Sequence, residues 1–168
     1  MSLSVFKPYF TFMVAYVILF SALEVIKNKH YNNSLKKQSL FINIQIILLL
    51  LIHTAVYVAI YFTFPFLLYN FNKIKVIYFI MYLGLLILVP LHWYTNANKC
   101  WSTITQNKML GISEDIGFRD FISIILDIDT ESGTLKEMTL RDKLYYGYLI
   151  SSLLIVFLSI IYKLAYKK

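Results

Sequence analysis

Residues 38–72 read QSLFINIQIILLLLIHTAVYVAIYFTFPFLLYNFN, a stretch without one charged side chain. A helix that crosses the hydrocarbon core of a bilayer needs about 20 mainly apolar residues. It rises about 1.5 Å per residue, and where water is missing every backbone amide must bond inside the helix. This stretch is longer than one upright crossing requires, and Pro65 marks a stop, because its ring removes an amide donor and clashes with the preceding turn. The expected membrane helix is therefore residues 41–64, with residues 65–69 in the interface.

Working outward, residues 76–98 and 144–162 are also free of charge, which gives two further spans, residues 76–94 and 144–162. Residues 8–26 hold one charge, Glu24, close to their end, and form a fourth span. Lys27, Lys29, Lys36 and Lys37 follow it, a basic flank of the stop-transfer kind, so the segment reads as a retained helix and not a cleaved signal peptide. The expected fold class is all-α: a polytopic membrane protein, one bundle of four transmembrane helices with a partly helical amphipathic loop, residues 95–143, between the third and the fourth. The link at residues 70–75 is so short that the second and third helices must be antiparallel neighbours. Pro90 perturbs the third helix near its exit. There His92, Trp93 and Tyr94 suit the headgroup zone, where amphipathic rings collect.

Composition agrees. Of 168 residues 59% are hydrophobic and 15% charged, with a mean hydropathy of +0.65, too apolar for a water-soluble domain that needs a polar skin. A single Cys excludes an internal disulfide. The net charge of +7 is unevenly spread: between Lys99 and Lys143 eight acids face six bases, which leaves +9 for the remainder. Those remaining bases sit in short clusters at span borders, where they meet lipid phosphates, so nucleic acid is not an expected partner. Ten bases on the side of the first loop against six on the other place that loop and the acidic segment in the cytoplasm, with both termini outside.

Within the loop, Cys100 to Leu110 form a short amphipathic helix ended by Gly111. Ser113 or Asp115 can cap a second helix whose apolar positions Phe118, Phe121, Ile122, Ile125 and Leu126 recur at three- and four-residue spacing. Such a stripe lies on a bilayer or against the mouth of the bundle. Asp127 to Thr134 read as a polar turn, since Asp127, Asp129 and Glu131 lack the glycine and terminal Glu placement of a calcium loop.

Polar groups inside a span are tolerated where they face another helix, so they mark the inward seam. On the second helix Gln45, His53, Tyr57 and Tyr61 share a fourfold stripe; Tyr78, Tyr82 and His92 do so on the third. Tyr145, Tyr148, Ser152, Ser159 and Tyr162 mark the fourth; Tyr9, Tyr16 and Glu24 mark the first. His53 falls near the middle of the second span, as a proton-relay or pore-lining group or, less sharply, as a neutral ring bonded to a neighbouring Tyr or Gln. Glu24 lies three residues from Lys27, a helical pair spacing.

The densest polar cluster is residues 92–103, with His92, Trp93, Asn96, Asn98, Cys100 and Thr103 as the candidate functional patch. A His-Trp pair, spaced Asn residues and Cys-x-x-Thr just beyond a membrane helix resemble small multi-pass membrane proteins of low-GC genomes, including those of large DNA viruses. The resemblance covers about a dozen residues and implies no chemistry. Cys100 beside His92 has no orienting acid for nucleophilic catalysis. Two potential ligands, with His30 and His53 elsewhere, fall short of a zinc site, so no metal, catalytic residue or cofactor is expected. The remaining reading is an interfacial turn, or a lipid attached to Cys100. There is no phosphate loop, serine elbow or zincin motif either. The leading expectation is a non-enzymatic scaffold or interaction protein whose partners are membrane lipid and a protein partner or second copy. The alternatives are a proton, ion or solute pore using the His53 seam, and a lipid-active enzyme using His92 and Cys100.

Overall fold

The computed structural model describes residues 6–27, 29–96, 100–113, 121–126 and 135–166. All elements among them are helices: α1 (Phe6–Lys27), α2 (Lys29–Leu35), α3 (Leu40–Tyr69), α4 (Val76–Thr95), α5 (Trp101–Leu110), α6 (Phe121–Ile125) and α7 (Leu135–Tyr166). Four are long and apolar enough to cross a membrane, namely α1, α3, α4 and Leu140–Tyr166 of α7. Their outward faces carry large apolar side chains such as Ile18, Met81, Leu88 and Ile150, each more than half exposed. An apolar skin of that extent around every long helix is the inverse of a soluble fold and fits a multi-pass membrane protein.

Helix ends follow from local chemistry. Ser39 begins α3, its hydroxyl accepting from the Ile42 amide at 3.4 Å. Gly111 ends α5 with φ 67°, the left-handed conformation that favours glycine. The Gly111 amide then reaches the Lys108 carbonyl and the Ile112 amide the Asn107 carbonyl, the paired bonds of a Schellman end, while Ile112 packs beside Leu110.

Three helix limits differ from the sequence expectation. The first is the passage of α3 through Pro65 to Tyr69. Proline at position 65 leaves the Tyr61 carbonyl without its helical donor. The Tyr148 hydroxyl on α7 donates to that carbonyl at 2.5 Å and lies 3.2 Å from the Ile60 carbonyl, to which the Tyr82 hydroxyl on α4 also donates. A neighbouring helix thus mends the gap, and no break is needed. The second is the start of α7 at Leu135, well before the charge-free run; charge ends a lipid-facing surface, not a helix, and Lys, Glu, Met, Leu and Arg are good helix formers. The third is the extra helix α2, in a segment read only as a basic flank.

Cross-helix contacts fix the register. Phe6 packs on Phe66 and Tyr78 with ring centroids 5.6 and 5.0 Å apart, the Tyr9 and Thr63 hydroxyls are 2.5 Å apart, and the Ser21 hydroxyl donates to that of Thr54 at 3.0 Å. So α1 runs antiparallel along α3. Trp93 stacks on Tyr57 at 5.9 Å, and Lys163 on α7 donates to the Phe71 carbonyl at 2.5 Å. The start of α1, the α3–α4 turn and the end of α7 are therefore level. At the opposite end they are not. An α3 of 30 residues is about 45 Å long against a hydrocarbon core of about 30 Å. Its excess, residues 40–48, projects past the ends of α1 and α4. The sequence reading put the surplus at the Pro65 end; the tyrosine contacts to Ile60 and Tyr61 hold that end inside the bundle.

The projecting part is sheathed by α2 and α5: Leu110 and Ile46 form a buried contact with Leu35 and Ile42 around it, and the Asn43 amide donates to the Leu35 carbonyl at 3.0 Å. The main core lies between α3, α4 and α7 and centres on Ile60, Phe79, Leu86, Leu149 and Val156.

Candidate functional site

The expected seam and the expected patch meet in one aromatic cluster where α3, α4 and α7 converge. From the seam, His53 is buried edge-on to Tyr57 with centroids 5.1 Å apart. From the patch, Trp93 stacks on Tyr57 and lies 5.2 Å from Tyr145. Tyr61 and Tyr82 are buried one turn further in, and Tyr61 packs 5.0 Å from Tyr148. Gln45 lies two turns before His53 and is only half-buried, within the projecting part of α3.

The register revises the place of His53. It sits one turn from Tyr57 toward the start of α3, and Tyr57 is level with Trp93, two residues short of the end of α4. His53 is therefore near one border of the bundle and not at its midplane, because the surplus of α3 lies at its beginning. Glu24, expected near the edge beside Lys27, is wholly buried, whereas Lys27 is exposed. Ser21 and Thr54 lie between the same two helices, so α1 and α3 enclose a short polar tier. Above it, Ile124 of α6 packs on Phe20 and Val58.

In the patch, His92 is exposed, and its Nε2 accepts the Trp101 backbone amide at 3.2 Å. This amide begins α5, whose N-cap residue Cys100 supplies no side-chain bond. His92 thus stands in as the cap and ties the end of α4 to the start of α5. With its lone pair on that amide, the ring is not set to take a proton from the Cys100 thiol, as a general base must. Cys100 and Asn96 are half-buried, and Thr103 is buried. Asn98, Phe118, the Asp127 to Thr134 turn and the capping candidate Asp115 lie outside the described residues, as do the side chains of His30, Phe121 and Ile122. No group of three or more metal-ligating side chains occurs among the described residues.

Three features escaped the sequence reading. The face of α5 turned to α3 is polar: Ser102, Thr103, Gln106 and Asn107 are all buried. The Ser102 hydroxyl donates to the Leu49 carbonyl at 3.3 Å, and the Gln106 amide reaches the Ser102 hydroxyl at 3.2 Å. Lys163, read as a border base, is buried, donates to the Phe71 and Ile74 carbonyls at 2.5 and 2.8 Å, and lies 4.3 Å over the Phe71 ring. These carbonyls belong to the α3–α4 link, so the charge sits just past the negative end of the α3 dipole, where a cation is favoured. The third is the Tyr148 hydroxyl on the Tyr61 carbonyl, and for it a signal existed. A proline inside an apolar helix leaves the carbonyl four residues earlier in search of a donor, which pointed from Pro65 to Tyr61 and to a tyrosine on another helix.

The arrangement joins helices: hydroxyl and imidazole groups bind backbone groups on neighbouring elements, and rings fill the space between. Comparison with protein-family models, with curated proteins and with solved structures gives no match.

Proposed function

We propose that this is an integral, multi-pass membrane protein that acts as a non-enzymatic scaffold and presents its acid-bearing end, α2, α5, α6 and the segments joining them, to a protein partner. The observation that carries the reading is the use of the inward polar groups. Tyr82 and Tyr148 bind the Ile60 and Tyr61 carbonyls, and Tyr57, Trp93 and Tyr145 pack ring on ring between α3, α4 and α7. Groups committed to closing a seam do not line a water path. The projecting start of α3 also gives that end a platform that does not depend on lipid.

One observation favours a second reading, a proton pathway. Glu24 and His53, two titratable groups, are both buried in the helices that pack as α1 and α3. Liposomes holding the full chain and a pH-sensitive dye separate the readings. The scaffold predicts proton flux equal to that of empty vesicles; flux that His53→Ala abolishes would overturn it. Partner capture is tested by neutralising Asp127, Asp129 and Glu131 together. Capture that drops while the chain stays folded in detergent supports the scaffold, and capture that is unchanged counts against this end as the partner surface.

A further inference from the structure

At the level end of the bundle, the seam between α1 and α3 opens into a groove with an empty volume of about 1240 Å³, including the part open to its surroundings. Pro8 and Phe12 form one wall, and Phe62, Pro65 and Phe66 the other; Lys73 and Asn70 stand at its mouth in the α3–α4 turn. Tyr9, stacked on Phe66 with centroids 4.1 Å apart and bonded to Thr63, closes its floor. From Phe62 to Tyr69 the apolar part runs roughly 10 Å along the helix axis, at about 1.5 Å per residue.

We infer that this groove binds a membrane phospholipid, one acyl chain lying against Phe12 and Phe62 and the phosphate meeting Lys73. The inference rests on the membrane reading of the four long helices. Two observations choose this occupant. First, an apolar concavity that faces the hydrocarbon is filled by an acyl chain, since its lining atoms otherwise lose their contacts. Second, the mouth is basic: Lys7, Lys73 and Lys75 are exposed at this end, and the acids among the described residues, Glu24, Glu137 and Asp142, belong to the far ends of α1 and α7. Lys163, bound to the Phe71 and Ile74 carbonyls just past α3, adds a positive charge beside the negative end of that helix and so weakens its opposition to an anion. The Asn70 side-chain amide is turned back to the Phe66 carbonyl at 3.1 Å and stiffens the rim.

The test uses the full chain in neutral detergent, titrated with phosphatidylglycerol or phosphatidylcholine and read by native mass spectrometry. Phosphatidylglycerol is expected to be retained in preference, with binding weakened about fivefold in Lys73→Gln and less than about twofold in Lys75→Gln, which lies outside the groove. In nanodiscs, phosphatidylglycerol brominated on its acyl chains is expected to quench Phe12→Trp at lower lipid fraction than Ile18→Trp, which faces bulk lipid. Equal retention of the two lipids, equal loss in both lysine variants, or equal quenching at both positions would overturn the site. A chain that stays dispersed without detergent would instead overturn the membrane reading beneath it.

Discussion

The two parts of α3 are held in different ways. From Thr54 onward the helix touches three other long helices, and its partners reach it with tyrosine hydroxyls and stacked rings, while a lysine binds the turn that follows it. Among the described residues, α2 and α5 pack beside residues 40–48, joined through Ile46, Leu110 and one asparagine. Both parts are free of charge in sequence, within a run that covers the whole helix. The comparison teaches that a charge-free run sets the greatest length a helix can bury in lipid. Where along it the bilayer sits is decided by what its neighbours touch.

The largest expected effect tests that division directly. Ile150 on α7 and Ile44 on α3 are both exposed and apolar, but the first lies level with the middle of the bundle and the second in the projecting part. An acid at the centre of a span costs about 2.5 to 3.5 kcal/mol on insertion scales. Ile150→Asp is therefore expected to abolish stable membrane insertion, measured by alkaline extraction, and Ile44→Asp to leave it intact. Equal loss in both would place residues 40–48 in hydrocarbon and erase the comparison. Next in size is Gly111→Ala, which forces a side chain into the left-handed conformation that ends α5, at about 1 to 2 kcal/mol. Its effect should appear as faster hydrogen exchange in α2, α5 and the start of α3, with protection of residues 57–69 unchanged. Smallest is Tyr148→Phe, which leaves the proline-freed Tyr61 carbonyl without that donor. The expected loss is about 0.6 kcal/mol and at most about 1.7, read by unfolding in detergent. In a Pro65→Ala background, where the helix supplies its own amide, the same substitution should cost close to nothing. A full cost there would remove the account of how α3 passes its proline.

Much of the fold was legible because the bilayer imposes simple rules. Scarce charge located all four helices long and apolar enough to cross a membrane, and Gly111 announced the end of α5 through cap chemistry that needs only local sequence. The limits of α7 were missed because Lys136, Arg141 and Asp142 end a lipid-facing surface without ending a helix. Pro65 was misread because its cost is removed by Tyr148, which is distant in sequence. The site was legible in its members and not in its arrangement. Tyr57, Tyr61 and Tyr82 do point inward, and His92 and Trp93 do lie at the exit of α4. That His92 caps α5, that Trp93 belongs to the seam, and that His53 sits near a border all depend on register between helices, which no single span encodes.

Cys100 is the sole thiol of the chain, it is half-buried, and it follows the end of α4. Phe6 and Tyr166 belong to the other extremity, a full helix length away. Nature has thus left one chemical handle on a single face of the assembly. An impermeant maleimide applied to intact cells, then to broken ones, would report which compartment that face occupies, with no engineered cysteine. A fluorescent tag fused at either terminus should report the opposite compartment, since an even number of passages returns the chain to the side from which it started.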